Sequence, residues 1–338
     1  MAIVTIDARD AFDPQPRGWS RYVRELVDAL PPRPGLEYRV VAQGGRGPEL
    51  FFEQVELPVR LRREGADLVH APNCFLPIAR PCMGVVTIHD LAFEVYPGDF
   101  SRRTGWKYRT FTRRAARSAQ RVICVSGYTA ADVVRRYDVD EARVRIIPNA
   151  PSLPIGDEPV PDDGPYLLAV GDLRPKKNLM RLVHAFRRLR REGLGHRLVL
   201  AGVDRGPEAE RVRAAAGGAP VRVTGYLSDR RLDALMRGAD ALVHPSLYEG
   251  FGLVLVEAMA RSVPVVASRA TALPETGGNA AEYFDPLDVR DIVDAVRRVV
   301  DDRARHAELA RLGRERAARL SWAASGALTA AVYEELLT

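Results

Sequence analysis

The chain has 338 residues, 46% of them hydrophobic and 28% charged, with a formal charge of +6. That length is ample for two domains, and the balance is that of a globular protein rather than a fibrous or disordered one. No apolar run approaches the roughly 20 residues of a membrane-spanning helix, the opening "MAIVTIDARD" turns charged too early for a secretory signal, and Cys74, Cys82 and Cys124 lack metal-ligand spacing, so they read as reduced thiols of a cytoplasmic protein. The basic surplus, supplied almost wholly by arginine, suits anionic partners: nucleotides, phosphates, acidic lipid or nucleic acid.

In chain order, "AIVTID", "YRVVA", "DLVHAP", "GVVTIHD" and "RVICVS" have the near-continuous apolar character of buried parallel strands. The stretch "APSLPIGDEPVPDDGP" then holds five prolines in sixteen residues and no apolar periodicity, so residues 151–165 read as an inter-domain linker. A second series follows: "YLLAVG", "RLVLAG", "VRVTG", "ALVHPS" and "PVVAS". Helical patterns such as "RYVRELVDAL" and "LMRLVHAFRRLRREG" separate the strands, and this alternation predicts α/β units on parallel sheets. The expectation is two doubly wound, Rossmann-like domains, residues 1–150 and 166–320, with a cleft between them. The closing "SWAASGALTAAVYEELLT" is an apolar helix pattern with no strand after it, so a helix at about 321–338 is expected to pack back on the N-terminal domain.

Ligands of such sheets bind beyond the carboxyl ends of the strands, which directs attention to the loops there. In "QPRGWSRYVREL", Gly18 opens the first helix, where backbone N–H groups can hold a diphosphate; a plain structural turn explains it as well. It is not the G-x-G-x-x-G fingerprint of a dinucleotide enzyme. His89 and Asp90 end a buried strand and are either site residues or a hydrogen-bonded turn. Residues 101–121, "SRRTGWKYRTFTRRAARSAQR", hold eight basic residues and no acid. On a helix, Arg102, Arg109, Arg113 and Arg117 share a face beside Arg103, Arg114 and Arg121, opposite Tyr108, Phe111, Ala115 and Ala119. Such a basic amphipathic helix docks on anionic membrane or nucleic acid, or is simply a solvated face over the core.

"VGDLRPKKNL" places Arg174, Lys176 and Lys177 where a helix begins, opposing its dipole. A bound anion would resolve that conflict. In "EGFGLVLVE", Glu249 precedes a Gly-Phe-Gly turn and Glu257 lies inside the helix that follows, on an apolar surface. A carboxylate there is costly unless bonded, and vicinal sugar hydroxyls such as those of a ribose are suitable donors.

Together these stretches resemble the retaining glycosyltransferases of family four, with the GT-B fold. "EGFGLVLVE" matches the E-x7-E signature, "VGDLRPKKNL" the strand-to-helix phosphate motif, and "GWSRYVREL", "HAPNCFLP", "TIHDLAF", "VSGYTAADVVRRYDVDEARVRIIPNA" and "ALPETGG" look like the mannosyltransferase-like branch. The resemblance implies an N-terminal acceptor domain and a C-terminal nucleotide-sugar domain. It places Lys177, with Lys176 or Arg174, on the donor diphosphate. Glu249 would contact hydroxyls of the transferred sugar, and Phe251, Gly252 and Leu253 form the loop whose backbone meets sugar and phosphate. Glu257 would bind the ribose, His89 would sit near the reacting sugar, and Gly18 near the diphosphate. The chain departs from the family in Gly171-Asp172 for Gly-Arg, in Gly18-Trp19-Ser20 for a commoner small-residue loop, and in Asn149-Ala150 for Asn-Gly.

The reaction so implied is retaining transfer of a sugar, mannose from GDP-mannose as the best match, to an acceptor hydroxyl in glycan, glycolipid or natural-product biosynthesis. Cations and N–H groups would stabilise the leaving diphosphate, with no metal and no cofactor. Eight residues of mostly helical path separate Glu249 from Glu257, too far for the paired carboxylates of a retaining glycosidase, which lie about 5 Å apart. A nucleotide-sugar epimerase on the same fold, or a basic nucleotide- or anion-binding protein without transfer activity, are the alternatives. A nucleic-acid role would leave the two glutamates and twin lysines unexplained, so no nucleic-acid partner is expected, while the basic helix leaves peripheral association with anionic membrane, at the inner surface, open.

Overall fold

The β-branched runs form two all-parallel sheets. The computed structural model describes residues 1–12, 18–44, 48–160, 164–203 and 206–337, so Gln15, Pro16 and Arg17 of the first glycine loop and positions 161–163 of the proline-rich stretch lie outside the described residues. The chain divides into two compact units, Met1–Ser152 with Leu320–Thr338, and Leu153–Arg319.

In the first unit, strands β1 (Ala2–Asp7), β2 (Leu36–Val41), β3 (Leu68–Ala71), β4 (Met83–Ile88), β5 (Arg121–Cys124) and β6 (Val144–Ile146) lie in the order β2-β1-β3-β4-β5-β6. Helix α1 spans Gly18–Ala29. A second helix, α2, runs through Glu49–Phe51, a wide π segment at Phe52–Glu56, and Leu57–Glu64. Helices α3 (Arg102–Ser118) and α4 (Gly127–Tyr137) follow. Leu57 and Leu61 of α2, Ala115 and Ala116 of α3 and Val133 of α4 share one core with Val69, Val86 and Val122 of the sheet. β3 buries a histidine, which is tolerable because both ring nitrogens are bonded: His70 Nε2 lies 2.8 Å from Thr87 Oγ1 and Nδ1 2.6 Å from the Tyr333 hydroxyl.

The basic segment is shorter as a helix than its composition suggests. Ser101 Oγ accepts from Thr104 N–H and starts α3, but the helix stops at Ser118. Arg121 belongs to β5, not to the helix face, and is held by Glu335 at 2.6 Å. Arg109 is half-buried and donates toward the Phe93 carbonyl at 3.4 Å, so it leaves the exposed face as well.

The second unit has β7 (Tyr166–Val170), β8 (Arg197–Ala201), β9 (Val221–Gly225), β10 (Ala241–His244), β11 (Val265–Ser268) and β12 (Ala281–Phe284), in the order β12-β11-β10-β7-β8-β9. Its longer helices are α5 (Leu179–Arg191), α6 (Pro207–Ala216), α7 (Asp229–Arg237), α8 (Leu253–Ala260), α9 (Val289–Val300) and α10 (Arg303–Ala318). The order reverses between β7 and β10, the switch point where open α/β sheets leave a crevice. At that edge Gly202 follows β8 so closely against the end of β7 that a Cβ would lie 2.0 Å from the Gly171 carbonyl oxygen.

The start of the proline-rich stretch is fastened to the second unit rather than free. Leu153 N–H donates to Glu257 and Gly156 N–H to Asp233, while Arg261 and Arg237 donate to the carbonyls of Leu153 and Glu158. The last helix, α11 (Trp322–Leu337), belongs to the first unit. Its Ser325 Oγ donates to the Pro148 carbonyl at 2.7 Å, and Gly326 sits where a Cβ would meet the Ala29 carbonyl oxygen at 2.2 Å.

Candidate active site

The loops after β7 and β10 flank the switch point, and the residues between them are tied together. The turn Pro175–Lys177 is a single 3-10 turn, and Asn178 takes a left-handed conformation, φ 56°, to start α5. That residue is almost wholly buried; its Nδ2 donates to the carbonyls of Pro245 and Pro286 at 3.1 and 2.8 Å. Leu247 N–H in turn donates to the Lys176 carbonyl at 2.8 Å. The lysine turn and the loop after β10 therefore form one framework.

Within it, Lys177 Nζ donates to Glu249 Oε1, and His244 Nε2 lies 3.0 Å from the same oxygen. His244 ends β10 and is 2% exposed. Burial lowers the affinity of its ring for a proton, an effect that the Glu249 hydrogen bond opposes only in part. A neutral ring with its proton on Nε2 satisfies the carboxylate. For Glu249, burial alone would raise the carboxyl; the Lys177 ammonium and the His244 hydrogen bond outweigh it and hold the group well below its ordinary value. Glu249 N–H also donates to Thr271 Oγ1 at 3.0 Å. Thr271 has φ 53°, left-handed strain at the carboxyl edge of the sheet. Glu249 thus gives Lys177, one of the twin lysines, an anionic partner within the protein at the turn where the sequence suggested a bound anion. Arg174 stands 3.8 Å from Asp172, half-exposed at the same turn.

After Glu249 comes the glycine turn. Gly252 has φ 92°, and a Cβ there would also strike Leu273 Cδ2 at 2.5 Å, so glycine is required on two counts. It opens α8 with no side-chain cap. Thr276 Oγ1 donates to the Phe251 carbonyl, fixing the turn, and Leu253 is the first residue of the helix.

Glu257 corrects one expectation. Its burial is confirmed at 5% exposed, but the structure itself supplies its hydrogen bonds: Oε1 accepts from Leu153 N–H at 2.8 Å and Oε2 from Arg261 Nη1 at 3.1 Å. Arg261 also bonds Asp233 at 2.7 Å. The second glutamate therefore staples the entry segment of the unit before any ligand arrives. These partners, Leu153 and Arg261, are none of those described for Glu249.

In the first unit, His89 follows β4. Its Nε2 lies 2.8 Å from the Pro72 carbonyl, its ring meets Tyr22 edge-on at 4.6 Å, and burial lowers its pKa. Asp90 accepts from Ala92 N–H at 2.9 Å, the turn role that competed with a site role. Gly18 is the first residue of α1 and exposed, and a Cβ there would meet nothing within 4 Å, so the fold does not need glycine at that position. His89 and Gly18 thus lie in one unit, and Arg174, Lys176, Lys177, Glu249, Phe251, Gly252, Leu253 and Glu257 in the other. His244, Asn178, Thr271 and Arg261 were not anticipated. A polar residue closing a buried strand, the signal that marked His89, was equally present at His244. Among the described residues, no group of three or more His, Cys, Asp or Glu side chains is placed to hold a metal ion.

The family model "Glycosyl transferases group 1" matches residues 155–316, and "Glycosyltransferase Family 4" matches residues 48–151. The MMP alpha-(1->4)-mannosyltransferase of Mycolicibacterium hassiacum is 32% identical over 316 residues, covering 86% of this chain and 75% of that protein. The O-antigen chain mannosyltransferase B of Escherichia coli is 31% identical over 277 residues, covering 75% and 71%. Sucrose-phosphate synthase from Thermosynechococcus elongatus shares the fold with a TM-score of 0.77 at 23% identity over 99% of both chains. Anabaena HepE, solved in complex with UDP and glucose, does so with a TM-score of 0.71 at 16% identity over 99% of both. With two Rossmann-like units, a lysine turn and an E-x7-E loop at the switch point, and these relatives, the chain belongs to the family-4 glycosyltransferases of GT-B fold, in their mannosyltransferase-like branch.

Proposed function

We propose that the protein moves mannose from GDP-mannose to an acceptor hydroxyl, with retention of configuration and without a metal ion. The observation that carries this reading is the Lys177–Glu249 pair at the β7/β10 switch point, backed by His244. A donor diphosphate arriving beside the lysine turn competes with Glu249 for Lys177. Lys177, with Lys176 or Arg174, then stabilises the charge that grows on the leaving diphosphate. Glu249, released but still held by His244, accepts from hydroxyls of the sugar. Glu257 accepts from the ribose, the Gly252 turn brings backbone to the phosphate, His89 is the candidate near the reacting sugar, and Gly18 the candidate near the diphosphate. The relatives' names support mannose, and the nucleotide and sugar bound in HepE support a nucleoside diphosphate donor. We place the enzyme in the cytoplasm with α3 against an anionic inner-membrane surface.

A thermal-shift screen against GDP, UDP, dTDP and ADP tests the donor. Binding to the native state adds about 2.7 kcal/mol at a hundredfold excess over Kd, so GDP should raise the melting temperature most. No shift with any of the four overturns the reading, and release of a new nucleotide sugar without acceptor would favour an epimerase.

A further inference from the structure

A chain of buried polar groups crosses the core of the first unit and ends on the residue that packs against His89. The Tyr333 hydroxyl of α11 lies 2.6 Å from His70 Nδ1, His70 Nε2 lies 2.8 Å from Thr87 Oγ1, and Thr87 Oγ1 lies 3.1 Å from the Tyr22 hydroxyl of α1. All four side chains are buried, Tyr22 the least so at 2% exposed. Thr87 and His89 stand two residues apart at the carboxyl end of β4, the spacing that puts side chains on one side of an extended strand. Tyr22 meets both, with its hydroxyl on Thr87 and its ring edge-on to His89, centroids 4.6 Å apart and planes at 82°. Trp322, the first residue of α11, also meets the Tyr22 ring, at 5.7 Å and 67°. α11 therefore reaches Tyr22 both through the ring of Trp322 and through the chain that starts at Tyr333. Apolar residues would fill these core positions without desolvating hydroxyls and an imidazole, and a hydrogen bond between neutral groups returns little net stability. What a connected buried network supplies is a single geometry. That geometry is delivered to His89, whose Nε2 is fixed by the Pro72 carbonyl at 2.8 Å. A carbonyl only accepts and burial favours the neutral ring, so Nε2 carries the proton and Nδ1 keeps the lone pair.

We infer that Tyr22 is a positioning residue for His89: the chain Tyr333–His70–Thr87 fixes the Tyr22 ring, and that ring holds the His89 imidazole in one orientation and one tautomer. The inference rests on the proposed place of His89 near the reacting sugar and adds the residues that hold it there, α11 among them. Tyr22 acts through His89 and touches no reacting atom. Its loss is therefore felt in turnover, where a misplaced group about 1 Å from its working position costs on the order of a hundredfold, and not in the binding of the nucleotide.

The test joins histidine NMR of the full chain, free of ligand, to turnover of GDP-mannose with water as the acceptor. The chain has 6 histidines, so the His89 ring signals are assigned by their loss in His89→Gln. In wild type at neutral pH, long-range proton–nitrogen correlation should show a single His89 tautomer, protonated at Nε2. Tyr22→Leu should turn it into a mixture and slow GDP release at saturating GDP-mannose by about tenfold to a hundredfold, with KM changed by no more than about twofold. Tyr22→Phe keeps the ring but cuts its bond to Thr87, and should fall between wild type and Tyr22→Leu in both readings. Tyr333→Phe, at the far end of the chain, should move the His89 signals in the same direction; if Tyr22→Leu misfolds, these two variants carry the test. His89 signals that stay unchanged in the folded variants overturn the inference, whatever the rate does. Altered signals with an unchanged rate make the chain a part of the core only and overturn the positioning role. His89→Gln that releases GDP at the wild-type rate overturns the proposed place of His89 and the positioning role with it. A wild type that releases no GDP counts against the donor assignment instead, and the NMR signals still decide whether Tyr22 holds His89.

Discussion

Glu257 illustrates how a residue serves two ends. Its carboxylate accepts from a backbone N–H 104 residues earlier and from Arg261 one helical turn later, and nearly all of it is buried. Removing it leaves both donors without that acceptor, at a cost of about 2 kcal/mol. Glu257→Ala should therefore lower the melting temperature by roughly 4–8 °C as well as weaken GDP binding, while Glu257→Gln, which keeps an oxygen for Leu153 N–H, should retain most of the stability. Calorimetry of the free variants checks this; an Ala variant as stable as wild type would show that the staple does nothing for the fold. The burial was legible in the apolar run "LVLVEAMA", and the four-residue spacing to Arg261 is a local signal that also stood in the sequence. The bond to Leu153 was not legible, because only the completed fold brings it there. The same holds for Lys177 and Glu249, 72 residues apart.

Strands show a similar division between local and tertiary causes. Those with buried β-branched runs announced themselves. β6 and β12 did not, because three or four residues with half-buried or mixed faces carry neither period. β3 carries a consequence for pH. Burial drops the His70 pKa to about 3, so the folded ring stays neutral while the unfolded ring takes a proton below its ordinary value. The folded-state pKa is the lower one, so the stability it contributes is fully present above about pH 6.5 and is lost as pH falls. The slope below that is about 1.4 kcal/mol per pH unit for one proton. His89 and His244, also lowered by burial, act with the same sign. Denaturant unfolding of the wild type between about pH 7 and pH 5 should show this loss, and His70→Gln should flatten the slope while lowering stability at neutral pH. An unchanged slope in that variant would refute the assignment to His70.

At the scale of the whole molecule, the two compact units differ in how the chain builds them. The second is continuous, Leu153–Arg319, whereas the first is closed by residues that come after it. Tyr333 of α11 is fully buried and bonds His70, Ser325 bonds the Pro148 carbonyl, and Glu335 bridges Arg121 and Arg145. Truncation before Leu320 should open the first unit to limited proteolysis while the second stays resistant; equal resistance of both would show that α11 is dispensable. The role of this helix could be guessed from an apolar pattern with no strand after it. Its seat against Ala29 could not, since a glycine reads the same whether it loosens a helix or lets another backbone approach. During synthesis on a ribosome, the first unit emerges early yet lacks its last layer until the entire second unit has been translated. The side of α1 that α11 covers, Ala29 included, has no partner from α11 until then.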